Sequence, residues 1–295
     1  MPSIADLLEL CKLKVVSLIM LTAVVGMLLA VPYLPNLLLI IVASAGIALS
    51  GMSAAVFNHV VDEKIDIQMS RTSHRPLPQG KVSRNQALIW GLFLGFLGIS
   101  LLLVYVNLLT AALTFSTLIG YAVFYTMYLK RATPQNIVIG GAAGATPPIL
   151  GWTSVAGVQG IEYALLLFLI VFIWTPPHFW ALAIHRHEEY KKAEVPMLPV
   201  THGLQFTRVQ ILLYTVLLFI VTLLPYLTGM SGIIYLVSAV MLGVLFLGYA
   251  IKICREPENP KIAFKTFKYS VNYLMVLFVS LLVDHYLLIT FGTIS

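Results

Sequence analysis

Apolar residues run along this chain in long blocks, broken by short polar stretches. Nine blocks are long enough, or nearly so, to cross a bilayer as helices, which takes about 20 residues for a hydrocarbon core of roughly 30 Å. They fall near 15–32, 37–61, 86–106, 109–129, 136–153, 163–185, 208–228, 231–252 and 267–291. The fifth is the shortest and is rich in small residues. The pattern predicts an all-α integral membrane protein, with residues 1–295 forming a single polytopic domain and no separate soluble domain. Composition agrees. Hydrophobic residues make up 59% of the chain and charged residues 10%, whereas an ordinary soluble domain carries about 25% charged residues.

Charge placement orients the spans. With the N-terminus inside, the inner segments are 1–14, 62–85, 130–135, 186–207 and 253–266. These segments and the helix ends bordering them hold all 18 Lys and Arg residues. The outer loops near 33–36, 107–108, 154–162 and 229–230 hold none. Positive charge collects on the cytoplasmic side of membrane proteins, so the N-terminus is expected in the cytoplasm and the C-terminus outside. The net charge of +6 then reflects topology and attraction to anionic membrane lipids. It does not indicate a nucleic-acid partner, because the basic residues are spread over several loops. The start of the chain carries acids and lacks a basic leader with a cleavage site, so the first span is expected to stay. Cys11 and Cys254 both fall on the inner side, where no disulfide framework is expected.

The chemistry gathers in three places. The first follows the second span, in N-H-V-V-D-E-K-I-D-I-Q-M-S-R-T-S-H-R over 58–75. Asn58, Asp62 and Asp66 are four apart, so a helix puts them on one face. Two carboxylates and an amide oxygen beside lipid are costly unless they face a polar cavity, a metal or a substrate. Oxygen donors suit Mg²⁺, which takes one or two carboxylates and leaves positions for water and phosphate oxygens. Arg71, Arg75 and Lys81 follow in a short loop and could meet the same anion. The cluster suggests a metal-held diphosphate at a membrane surface.

The second place surrounds the sixth span, W-T-P-P-H-F-W-A-L-A-I-H-R-H-E-E-Y. Pro176 and Pro177 are expected to break the helix there and free backbone groups. His178, His185 and Glu189 are spaced seven and four apart and are expected on a common face. Arg186 and Tyr190 form a further i,i+4 pair. The histidines lack zinc spacing with a credible third ligand. The third place is Y-T-M-Y-L-K-R-A-T-P-Q-N over 125–136. There Lys130 and Arg131 stop the fourth span and Asn136 opens the next. Gly140 and Gly144 permit close helix packing.

These motifs together carry a family resemblance. N-x-x-x-D-x-x-x-D with R-T-x-x-R, the Y-x-x-x-L-K-R run, G-x-x-x-G-A-x-P-P, and P-H-F-W-A-L-A-I with V-P-M-L-P-V resemble the protoheme IX farnesyltransferases (haem O synthases). These belong to the membrane prenyltransferase superfamily. The resemblance covers nearly the whole chain. It implies nine transmembrane helices around a central cavity, farnesyl diphosphate as donor and haem B as acceptor. It also implies haem O as product for haem-copper oxidases, with a haem A synthase downstream, in a bacterial inner membrane. Asn58, Asp62 and Asp66 would bind Mg²⁺, and Arg71, Arg75, Lys130 and Arg131 would act on the leaving diphosphate. Tyr125, Asn136, His178, His185, Arg186, Glu189 and Tyr190 are the further substrate-binding candidates. Many relatives carry a second Asp-x-x-x-Asp motif after the sixth helix; here the stretch reads R-H-E-E-Y. Three other readings compete: a quinone-pathway aromatic prenyltransferase, an ion-coupled transporter, and a haem-handling protein without catalysis.

Overall fold

The computed structural model describes residues 2–69 and 72–290, without the side chains of Arg131, Pro260 and Thr290. Every regular element among them is helical. The chain opens with α1 (Ile4–Leu10) and α2 (Leu13–Leu29), joined at a 55° bend. Next come α3 (Leu37–Gln68), α4 (Arg84–Tyr105) and α5 (Leu108–Ile119). A π-helical stretch (Gly120–Leu129) continues α5 and closes with the short turn α6 (Lys130–Ala132). Then follow α7 (Asn136–Ala145), α8 (Pro147–Ala156), α9 (Ile161–His185) and α10 (His187–Lys192). The remaining elements are α11 (Leu198–Thr201), α12 (Gly203–Val221), α13 (Leu224–Leu227), α14 (Ile233–Arg255) and α15 (Pro260–Thr290).

The helices close into a ring. In chain order α2, α3, α4, α5 with its π stretch, α7, α9, α12, α14 and α15 each touch the next, and α15 returns to α2. Helix α8 packs on α2 and α9. By length and composition, seven helices can cross a membrane, or eight if the bent α1–α2 pair counts as one span. Nine were expected. The difference lies in the fifth block, where Pro147 and Pro148 end α7 and open α8. Two ten-residue helices result, each only about 15 Å long at 1.5 Å per residue.

Lipid tails give helices no hydrophobic reason to associate, so close backbone packing does that work. Along α4, Gly91, Gly95 and Gly98 face α3, and the Ser53 hydroxyl donates to the Gly91 carbonyl at 2.7 Å. At the α2–α8 crossing, a Cβ on Gly151 would lie 1.9 Å from the Ala23 carbonyl oxygen. A Cβ on Gly26 would lie 2.3 Å from that of Pro148. No side chain fits at either place. On the lipid side α4 leaves Ile89, Phe93 and Phe96 exposed. Buried Asp284 on α15 accepts from the backbone N–H groups of Gly232, Ile234 and Tyr235, capping the otherwise unsatisfied start of α14.

Candidate active site

Helix α3 runs on to Gln68, well past the end of its apolar block, so Asn58, Asp62 and Asp66 lie on one unbroken helix. All three are buried, at 5%, 3% and 4% exposure. Their spacing predicted a shared face, and each has drawn a cation from a different part of the chain. Lys130 Nζ donates to Asp62 Oδ2 at 2.5 Å. Arg75 Nη1 donates to Asp66 Oδ2 at 2.6 Å. Lys12 Nζ donates to Asn58 Oδ1 at 2.5 Å.

Local structure delivers each cation. The loop after α3 folds back because the Thr72 hydroxyl donates to the Asp66 carbonyl at 3.0 Å and Leu77 and Val82 pack under α1. Arg75 is thereby turned towards Asp66, while Lys81 stays exposed. Lys130 sits where the π-helical stretch ends, and its backbone N–H reaches the Tyr125 carbonyl five residues back. Such π segments often mark functional sites. Tyr125 stacks near Tyr121, with ring centroids 5.2 Å apart. Gly140 on α7 makes room for it, since a Cβ there would lie 2.1 Å from the Tyr125 ring. Asn136 is fully buried and donates to the Lys130 carbonyl at 3.1 Å, tying α7 to the turn that carries the lysine. Of the other expected residues here, Arg71 and the Arg131 side chain lie outside the described residues.

The donor set fits Mg²⁺. Among the described residues, Asp62 Oδ1 and Asn136 Oδ1 are buried without a hydrogen-bond partner, and buried oxygens without partners call for a donor or a cation. No three His, Cys, Asp or Glu side chains among the described residues gather to hold a metal. The protein would therefore contribute two carboxylates and an amide, the sparse oxygen set typical of Mg²⁺ held together with a phosphate.

The second constellation differs from its sequence reading. Helix α9 continues through Pro176 and Pro177 without a break. The prolines leave two carbonyls without their usual partners, but regular turns on both sides and bonds to α15 keep the helix whole. The Trp174 indole donates to the Ser270 carbonyl at 2.8 Å. His178 is buried, 2.7 Å from the Ser270 hydroxyl and stacked between Trp174 and Phe267. That hydroxyl donates its single proton to the Phe267 carbonyl at 2.7 Å. The imidazole must then donate through Nδ1, leaving Nε2 as the unprotonated nitrogen. His185 is exposed at the end of α9 and stacks on Phe264. Glu189 does not share the histidines' face. Arg186 breaks the helix between them, and its guanidinium holds Glu189 at 2.5 Å within a separate short helix. Tyr190 joins this turn through its backbone N–H, which donates to the Arg186 carbonyl at 3.1 Å.

Two residues escaped the sequence reading. Lys12 occupies the bend between α1 and α2 in a left-handed conformation (φ 49°, ψ 50°) that non-glycine residues seldom adopt. Its signal in the sequence is a lysine between two apolar runs, one of the basic residues of the inner segment 1–14. His59 is 1% exposed, and neither ring nitrogen has a hydrogen-bond partner among the described residues. Its Nδ1 lies 3.8 Å from Asp66 Oδ2. It lies next to Asn58 in the motif, off the i,i+4 spacing that drew attention to the acids.

Known proteins share this chain's sequence and shape. A protein of Vesicomyosocius okutanii named protoheme IX farnesyltransferase is 70% identical over 292 residues, covering 98% of either chain. One of the same name from Methylococcus capsulatus is 55% identical, covering 96% of this chain and 94% of its own. Among solved structures, one described as digeranylgeranylglyceryl phosphate synthase superposes with a TM-score of 0.79 at 22% identity, over 96% of this chain and 98% of its own. A UbiA homologue from Archaeoglobus fulgidus, bound to GPP and Mg²⁺, gives 0.64 at 14% identity over 94% and 99%. At that identity the structural likeness speaks for the fold alone. The sequence carries the assignment further: the model of the UbiA prenyltransferase family matches residues 19–272, the acid face on α3 with Arg75 and Lys130 included, and the chain belongs to that family.

Proposed function

We propose that this enzyme transfers the farnesyl group of farnesyl diphosphate to a vinyl group of haem B, giving haem O. The observation that carries the donor half is the α3 acid face, with Arg75 and Lys130 already poised on its carboxylates. The acceptor half rests on the P-H-F-W-A-L-A-I and V-P-M-L-P-V runs and on relatives named protoheme IX farnesyltransferase at 55% to 72% identity.

Asn58, Asp62 and Asp66 would hold Mg²⁺ through their side-chain oxygens. When bound, the metal supplies positive charge to the diphosphate oxygens. Lys130 and Arg75 lie within hydrogen-bond reach of the same carboxylates, so a short swing brings each onto the diphosphate. Arg71 and Arg131 are the further candidates for this task. Cations placed where negative charge grows lower the barrier by several kcal/mol, on the order of a thousandfold in rate. The farnesyl C1–O bond breaks, and C1 joins the terminal vinyl carbon. Water then adds to the adjacent carbon and loses a proton, with no covalent bond to the enzyme at any stage. Tyr125, Asn136 and the apolar helices around them keep water from the allylic cation until then. His178 and His185 on α9, with Arg186, Glu189 and Tyr190 beyond, are the acceptor-side groups.

The chain sits in the bacterial inner membrane with residues 62–85 and 186–207 facing the cytoplasm, and haem O passes on to a haem A synthase. The deciding experiment incubates purified protein with farnesyl diphosphate, haem B and Mg²⁺ and reads the product by mass spectrometry. Haem O should form and should vanish with chelator. Prenylation of a quinone precursor instead of haem would overturn the acceptor.

A further inference from the structure

The seam between α9 and α15 carries a continuous ladder of rings. Trp174 stacks on His178 at 4.2 Å between centroids, and His178 on Phe267 at 4.6 Å. Phe267 leads to Phe264 at 6.1 Å, and Phe264 to His185 at 4.7 Å. The ladder climbs from a buried histidine to an exposed one at the inner end of both helices. Beside it, Lys261, Lys265, Lys268 and Asn272 are all exposed and follow one another at i, i+4, i+7 and i+11 on one face of α15. Lys268 holds its ammonium 4.6 Å from the centre of the Phe264 ring.

The stripe runs about 16 Å along the axis of α15, from Lys261 to Asn272. The inner end of the seam thus combines an exposed ring, His185, with a row of cations.

We propose that this face of α9 and α15 docks the acceptor as a planar apolar macrocycle bearing carboxylates, with Lys265 and Lys268 binding the carboxylates at the ladder's inner end. The inference rests on the haem reading above, because protoporphyrin supplies both the flat ring and two propionates. An ammonium–carboxylate hydrogen bond is charge-assisted, about twice as strong as a neutral one. Exposed His185, the last ring of the ladder, sets the plane against which the macrocycle lies. Lys265 and Lys268 are thus specificity residues that read the acceptor's acid groups and leave the donor alone.

The test compares haem B with its dimethyl ester, in which both propionates are masked. The wild-type protein should show a KM for the ester about tenfold or more above that for haem B, the loss expected for one charge-assisted hydrogen bond. The double variant Lys265→Met/Lys268→Met should raise the KM for haem B to the ester's value. It should leave the ester's KM, the donor's KM and the melting temperature unchanged. An equal loss on both acceptors, or no loss on either, overturns the proposal and returns the lysines to a packing or headgroup role. Should the wild-type protein farnesylate no haem at all, the acceptor reading fails on its own. Absorbance titration with haem B then decides the lysines separately, and unweakened binding by the double variant overturns their role.

Discussion

Removing Lys130 should cost the protein stability as well as catalysis. The Asp62 side chain is 4% exposed and that of Lys130 is 20% exposed, with 2.5 Å between them. At an effective dielectric of about 20, charges that close attract by roughly 7 kcal/mol, most of it offset by lost hydration. Lys130→Met leaves the Asp62 carboxylate buried and uncompensated. Broken buried pairs cost about 3–5 kcal/mol, and the partial exposure of Lys130 places this one near the lower end, about 3 kcal/mol. Adding Asp62→Asn removes the stranded charge. The double variant should recover about 2 kcal/mol of that loss, the coupling expected for groups in direct contact. In metal-free detergent solution, at about 2 °C per kcal/mol for a chain of this size, Lys130→Met should melt roughly 6 °C below wild type, and the double variant some 4 °C above the single. Both should remain inactive. A double variant no more stable than Lys130→Met would refute the pairing as a source of stability.

Three further outcomes are expected. Asp66→Asn should lower kcat about a thousandfold, since a charged ligand to Mg²⁺ is lost with little change in size; wild-type turnover by mass spectrometry would remove Asp66 from the site. Gly151→Ala should be more severe than an ordinary overpacked core, above about 3 kcal/mol, because its Cβ would meet the Ala23 carbonyl oxygen at 1.9 Å. A large fall in melting temperature checks it. In a chain with Cys11 and Cys254 replaced, a cysteine in place of exposed His74 should be shielded from an impermeant thiol reagent added to intact cells. One in place of exposed Val158 should react.

What was legible in the sequence was local or periodic. The acid face of α3 depends only on helical spacing within one segment, so Asn58, Asp62 and Asp66 could be grouped from the chain alone. Eight apolar blocks reappear as α2, α3, α4, α5 with its π stretch, α9, α12, α14 and α15, because bilayer length and hydropathy are properties of contiguous residues. The choice of partners was not legible. Lys130 reaches Asp62 across 68 positions and Lys12 reaches Asn58 across 46, distances that only the closed ring of helices brings together. The prolines of α9 misled because their cost depends on what a neighbouring helix can repair. Glu189 misled because i,i+4 arithmetic assumes a helix that Arg186 interrupts.

The π-helical stretch from Gly120 to Leu129 has a bearing on how this chain tolerates changes in length. A π turn holds more residues than an α turn, so a one-residue deletion within it can be absorbed by reverting to ordinary α-helix. The span would keep its hydropathy and nearly its length. An inserted residue finds no such relief and turns whatever follows by about 100° around the axis. Lys130, the first residue after the stretch, would swing off Asp62, and Asn136 would lose the carbonyl it holds. A single-codon insertion here is therefore silent to any measure of membrane integration and severe for the reaction.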